Sequence, residues 1–452
     1  MADPTWHNHT VIRKFGLLVV LFAAPVGASD SAAPLDNADG AALAALRGDP
    51  QRARAMLAMG SREQVDPAAL VVLTSIALDE GKLKEAARLV GRLRSVRPAA
   101  AETLLLGALV KERAEHARSD WTTAGLAALK SVHPLPESTP LLDPWERIAQ
   151  ATLNGADLFP FPEESVRKLA PADAFLVRWT WPRSRSAGPD VALVEEAIHV
   201  ARGDERLLVH LVALDVLDAP SGPHGEEGAA ARRELVERVQ RKHPGSARLM
   251  VLAKHSDTEA VTEDDVASLE TAVADEGEAS LARHYLDLLR LMDKIDPATA
   301  PVSAMNATMR LAMSRLYPAG LGSRMAKKPE LPPEVLERLA RALIRLAHLQ
   351  EREGFLLTDM FSRVSLGMAS SLRDDAALKD RADSIRAEVE GLLDVHRCLA
   401  PLQRLPIRSL QREWAEQIPV ERPLLQHAAH MGLSCPAPQL KQADAPHRPD
   451  PR

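Results

Sequence analysis

The residues best suited to chemistry sit near the C-terminal end: His396 and Cys398, then His427, His430, Met431 and Cys435. Imidazole, thiolate and thioether are borderline-to-soft donors, the set that zinc and copper prefer. His427 and His430 are three residues apart, a spacing that a helix brings to one face. Two plainer readings compete with a metal site. His396 falls on the apolar stripe of its own helix, where a core histidine is the commoner occupant. The two cysteines explain each other, since in an oxidising compartment an even count points to a disulfide. Cys398–Cys435 is therefore the disulfide candidate, closing a loop of 37 residues. No catalytic residue, metal ligand or cofactor is assigned.

The other candidates are weaker still. Trp145, Trp179 and Trp181 could stack on sugars or peptides, or plug an irregular stretch between helical layers. Glu195-Glu196 and Asp264-Asp265 are adjacent carboxylates, but neighbours on a helix point to different faces, which suits helix starts and solvated faces better than acid–base work. Met305, Met309, Met313 and Leu316 form a stripe at helical spacing, as do Leu281, Tyr285, Leu288 and Met292. Core filling is the default for such stripes, and a groove for a small apolar ligand is the alternative. The sequence carries no HExxH, GxGxxG, P-loop, GxSxG or CxxCH motif. Asn306-Ala307-Thr308 is a glycosylation sequon, relevant only in a eukaryotic host; the Ala/Arg/Leu usage suggests a bacterial one.

The elements that must carry these residues are best seen in Asp66–Pro98. Asp66 can cap a helix that begins at Pro67, because proline lacks only an N–H that would be unpaired there anyway. Leu70, Leu73, Ala77 and Leu78 follow helical spacing. Gly81 ends that helix, and a second carries Leu83, Ala86, Leu89, Val90 and Leu93 on one face before Pro98. The preceding segment repeats the pattern: Gly48, Ala53 and Leu57 align with Gly81, Ala86 and Val90, an offset of 33 residues. A third, more degenerate unit spans Ala101 to Pro134.

This pattern resembles the tetratricopeptide repeat (TPR), two helices in about 34 residues with small residues at the crossing and a proline near the end. Gly81, Ala86 and Pro98 stand at the matching positions, although the family's Trp and Tyr positions in the first helix are missing. The resemblance covers roughly residues 35–134. It implies an all-α fold in which TPR-like hairpins stack as an α-superhelix and recognise other proteins through side chains. Composition agrees: 46% hydrophobic but only 3% aromatic residues leaves alanine and leucine to build the core, which favours helix on helix.

The expected organisation is a signal peptide over 1–28, a linker over 29–40, TPR-like hairpins over 41–134, an irregular helical region over 135–317, an antiparallel helical bundle over 334–435, and a disordered tail over 436–452. Within the irregular helical region, Val191, Val194, Ile198 and Ala201 begin another hairpin, whose Gly203-Asp204 turn echoes Gly48-Asp49. Arg13 and Lys14 precede an uncharged run from Phe15 to Ala28, and Val26-Gly27-Ala28 offers cleavage after Ala28. Fourteen residues are short for a bilayer span, which needs about 20; a retained anchor is the alternative to cleavage. No later segment is apolar enough to span, so no stable membrane span is expected after cleavage. Residues 1–28 carry net +1, leaving −6 − 1 = −7 for the rest. Without clustered Lys and Arg, nucleic acid is an unsuitable partner. The expected function is an exported, non-enzymatic helical-repeat protein mediating protein–protein interaction in the periplasm or outside the cell. The alternatives are an all-α envelope enzyme of cell-wall hydrolase type and a small-ligand binding module. Lytic transglycosylases do carry an α-superhelical arm, but Glu137-Ser138 and Glu164-Ser165 lack the Gly-Leu-Met-Gln type segment that follows in that family.

Overall fold

A computed structural model describes residues 37–58, 66–136, 139–143, 161–181, 191–217, 226–244, 261–274, 280–312 and 331–435. The proposed signal peptide, most of the linker, Trp145, Met313, Leu316, the loop 318–330 and the tail lie outside these residues. Among the described residues every regular element is helical, and no helix is long and apolar enough to cross a membrane.

The chain begins with three hairpins: α1 (Asn37–Leu46) with α2 (Pro50–Ala58), α3 (Pro67–Asp79) with α4 (Leu83–Val96), and α5 (Ala101–Glu115) with α6 (Trp121–Val132). The Asp66 carboxylate accepts the Ala68 N–H at 2.9 Å, and Pro67 opens the first turn of α3. In the first turn between helices, the N–H groups of Arg47, Gly48 and Asp49 donate to the carbonyls of Leu43, Ala45 and Ala44. In the second, Glu80, Gly81 and Lys82 donate to Ile76, Leu78 and Ala77. Every donor and acceptor has moved by 33 residues. Gly48 and Gly81 hold φ of 81° and 71°, a left-handed conformation that costs a residue with a Cβ roughly 1–2 kcal/mol. The third turn has no glycine. It runs from His116 to Asp120, whose carboxylate caps α6 through the Thr123 N–H at 2.7 Å.

The helices of the first two pairs differ in character. In α3, Leu70 to Val72 and Thr74 to Leu78 are buried, so it lies inside the stack. In α4 only Ala86, Leu89, Val90 and Leu93 are buried, so it shows its other face to solvent.

A second core joins α8 (Pro171–Thr180), α9 (Val191–Gly203), α10 (Leu207–Leu217), α13 (Leu281–Asp293) and α14 (Ala300–Leu311), with contributions from α11 (Glu226–Lys242) and the one-turn α7 (Glu163–Val166). Gly203 does not repeat the glycine turn of the first hairpins, because it is the last residue of α9 and is absent from the positive-φ set. Asp204 shapes that turn instead, by accepting the Arg206 N–H at 2.8 Å. α12 (Glu263–Ala274) packs on α15 (Pro333–Glu351). Helices α15, α16 (Leu356–Arg373) and α17 (Ala376–Gln403) pack side by side through short connections. The chain then continues through α18 (Arg408–Gln417), a 3₁₀ turn at Ile418–Val420, and α19 (Glu421–His430).

The C-terminal helices do not stand apart from the hairpins. Leu392, Leu399, Leu402, Leu410 and Trp414 share one core with Leu70, Val90, Leu106 and Leu129. Helix α18 touches all three hairpin turns. The Arg408 guanidinium lies against Gly48. The Ser409 N–H donates to Asp79 at 3.0 Å. Glu413 accepts the N–H groups of Trp121 at 2.9 Å and Thr122 at 2.8 Å. The edge of the stack formed by its turns is thus covered by the protein's own helix.

Candidate functional site

Of the six donors clustered in the C-terminal sequence, the structure joins two. Cys398, in the buried face of α17, is bonded to Cys435 just beyond α19, with S–S 2.16 Å and Cα–Cα 5.3 Å. Cys435 is also fixed by its backbone N–H, which donates to the Asp394 carbonyl at 3.2 Å. His427 and His430 face solvent. Met431 packs partly buried on the core that holds Cys398. His396 is half-buried, its Nε2 3.5 Å from the Gln403 amide nitrogen. Burial, reinforced by the charge of Arg397, pushes its imidazole down to about 4, so it is neutral at physiological pH.

The third donor beside the cysteines is His133, which follows α6. A ring nitrogen of His133 and both sulfurs lie within 4.8 Å of one another, and among the described residues these three form the only His, Cys, Asp and Glu group compact enough for a metal ion. Nothing local flags His133, which stands 265 residues before Cys398 in sequence.

Trp179 and Trp181 are core residues rather than open stacking faces. Trp179 is buried, and its indole N–H donates to Asp215 at 3.1 Å. Arg310 sits 5.0 Å over the same ring and pairs with Asp215 at 2.6 Å. Trp181 is buried and meets Phe161 edge-on at 5.6 Å. The paired carboxylates separate as helix geometry requires. Glu196 bonds Arg178 while Glu195 is exposed. Asp265 accepts the Thr262 N–H at 2.7 Å and its own N–H donates to the Thr262 hydroxyl at 3.3 Å, a reciprocal cap on α12. Met305 and Met309 pack into the second core.

One polar constellation has no counterpart in the sequence motifs. Arg422, at the start of α19, donates to both oxygens of Glu388 on α17, at 2.8 and 2.9 Å, and to Asp359 on α16 at 3.1 Å. Gln426 adds a bond to Glu388 at 3.0 Å. Desolvation raises the Asp359 carboxyl to about 6 despite the Arg422 charge. Desolvation likewise pushes Glu421 up to about 8, although it accepts the Leu356 N–H at the start of α16. Glu353 rises to about 7 for the same reason while accepting the Ala282 N–H at 3.3 Å at the start of α13. Each of these groups ties one helix to another.

No family model matches this chain, and no curated protein or solved structure matches it.

Proposed function

We propose that the protein is an exported, non-enzymatic helical-repeat protein of TPR-like type that binds another protein in a bacterial envelope. The recurrence of one turn, bond for bond at 33 residues, carries this reading: it is the internal periodicity expected of stacked recognition hairpins. Export is supported by the Arg13-Lys14 and Phe15–Ala28 pattern, with cleavage after Ala28, and by the cysteine pair at disulfide distance.

The surface best suited to a partner is the outer face of α4. That helix holds four basic residues against one acidic. Lys84, Arg88 and Arg92 follow one another at four-residue steps, exposed and without an ion pair among the described residues. Exposed Val96, at 42%, continues the same helix. An acidic segment of a partner protein complements this face; the stripe is confined to a single helix, in a chain of net charge −6.

The test is affinity capture by residues 29–452 from a native envelope extract, run beside an assay on purified peptidoglycan. A stoichiometric protein partner and no turnover fit the proposal. Turnover of peptidoglycan with no captured protein would replace it with the cell-wall hydrolase alternative.

A further inference from the structure

We propose that Cys398, Cys435 and His133 form a redox-gated metal site: a disulfide when oxidised and, once a dithiol has opened that bond, a Cys₂His site for one thiophilic d¹⁰ cation such as Zn²⁺. The proposal does not depend on the partner-binding reading.

Three observations carry it. The donor types are those of zinc and cuprous sites, two thiolates and an imidazole. Their atoms already lie within 4.8 Å of one another. Donors around a tetrahedral zinc, at about 2.0–2.3 Å from the metal, stand roughly 3.3–3.8 Å apart, so modest side-chain adjustment completes the geometry. Each donor is also held by structure that does not need the disulfide. Cys398 is 2% exposed on the inner face of α17. Cys435 is anchored by its bond to the Asp394 carbonyl. His133 lies between Val132 and Leu135, which pack on the same core as Cys398.

The chemistry balances. The dithiol loses two electrons and two protons and becomes a disulfide, while Cys398 and Cys435 gain them as thiols. Metal binding then displaces the two thiol protons. A ring nitrogen of His133 supplies a lone pair, and water fills the fourth position.

The experiment uses the purified protein, oxidised or reduced with a phosphine under argon, and titrates Co²⁺ and then Zn²⁺. The reduced protein is expected to bind one equivalent of Co²⁺ with a near-ultraviolet thiolate charge-transfer band that Zn²⁺ abolishes; the oxidised protein is expected to show no band. Cys398→Ser should remove the band. His133→Ala should weaken binding at least 10-fold, since loss of even an outer-shell partner costs about 10–100-fold. Circular dichroism checks that both variants fold. If His133→Ala does not, His133→Gln replaces it, and the oxidised–reduced comparison still decides without any variant. No band in the reduced protein, a band that survives Cys398→Ser, or wild-type affinity in a folded His133 variant would each overturn the proposal.

Discussion

Replacing Glu413 by alanine tests how the two ends of the chain are joined. Asp120 caps α6 through Thr123 and leaves the N–H groups of Trp121 and Thr122 to Glu413, about 290 residues away. Thr122 is buried at 6% exposure, so its orphaned N–H costs about 1–3 kcal/mol. Trp121 is half-buried, and partial rehydration limits its share to about 0.5–1 kcal/mol. Loss of an anion at the positive end of α6 adds about 0.3–1 kcal/mol. The total is about 3 kcal/mol, which raises the local opening equilibrium on the order of 10²-fold. Hydrogen exchange read by mass spectrometry over residues 117–132 measures this directly. Glu416→Ala is the control, because that carboxylate is exposed and, among the described residues, pairs only with Arg412 at 3.5 Å; its effect should stay below about 0.5 kcal/mol. Unchanged protection of 117–132 in Glu413→Ala would refute the idea that α18 secures the hairpin stack.

Three further outcomes follow from the same structure. Glu421 and Glu353 have folded pKa values of about 8 and 7, raised by desolvation, so the folded state holds protons that the unfolded chain releases. Their contribution is complete below about pH 4.5 and is lost as pH rises through 7 and 8. His284 and His396, pushed down to about 4 by burial, act in the opposite sense only below about pH 6.5. Thermal melting should therefore show higher stability at pH 6.5 than at pH 8.5, and Glu421→Gln should flatten that slope. Opening the disulfide in metal-free buffer should cost roughly 4 kcal/mol, from its separation of 37 residues, measured by urea unfolding with and without a phosphine. Gly81→Ala should cost about 1–2 kcal/mol, because φ there is 71° while a Cβ meets nothing within 4 Å; Gly91→Ala, also free of contacts but inside α4 at ordinary helical φ, should be neutral or stabilising.

The legible parts of this protein were those written in neighbouring residues. Asp66-Pro67, Gly48 and Gly81 each announce a cap or turn through local backbone demands, and each performs that role. The cysteine pairing was readable because only two cysteines exist. Gly203-Asp204 shows the limit: the same dipeptide as Gly48-Asp49 forms a different turn once α9 extends through the glycine. His133, Glu413 and the Arg422–Asp359–Glu388 cluster were invisible because their partners come from distant elements. Periodicity and capping rules reach three or four residues along a helix. They do not say which helix another helix will meet, so they could not place α18 across the hairpin turns or His133 beside the disulfide.

The exposed stripe of α4 offers the most direct test of partner binding. Charge reversal of Lys84, Arg88 and Arg92 to glutamate changes three solvated side chains that form no ion pairs among the described residues, so folding should be retained. With wild type and variant used side by side to capture from envelope extract, the proposal predicts one stoichiometric acidic protein on the wild type and at least a tenfold loss on the folded variant. Equal capture by both, or a nucleic acid bound in place of a protein, would contradict it.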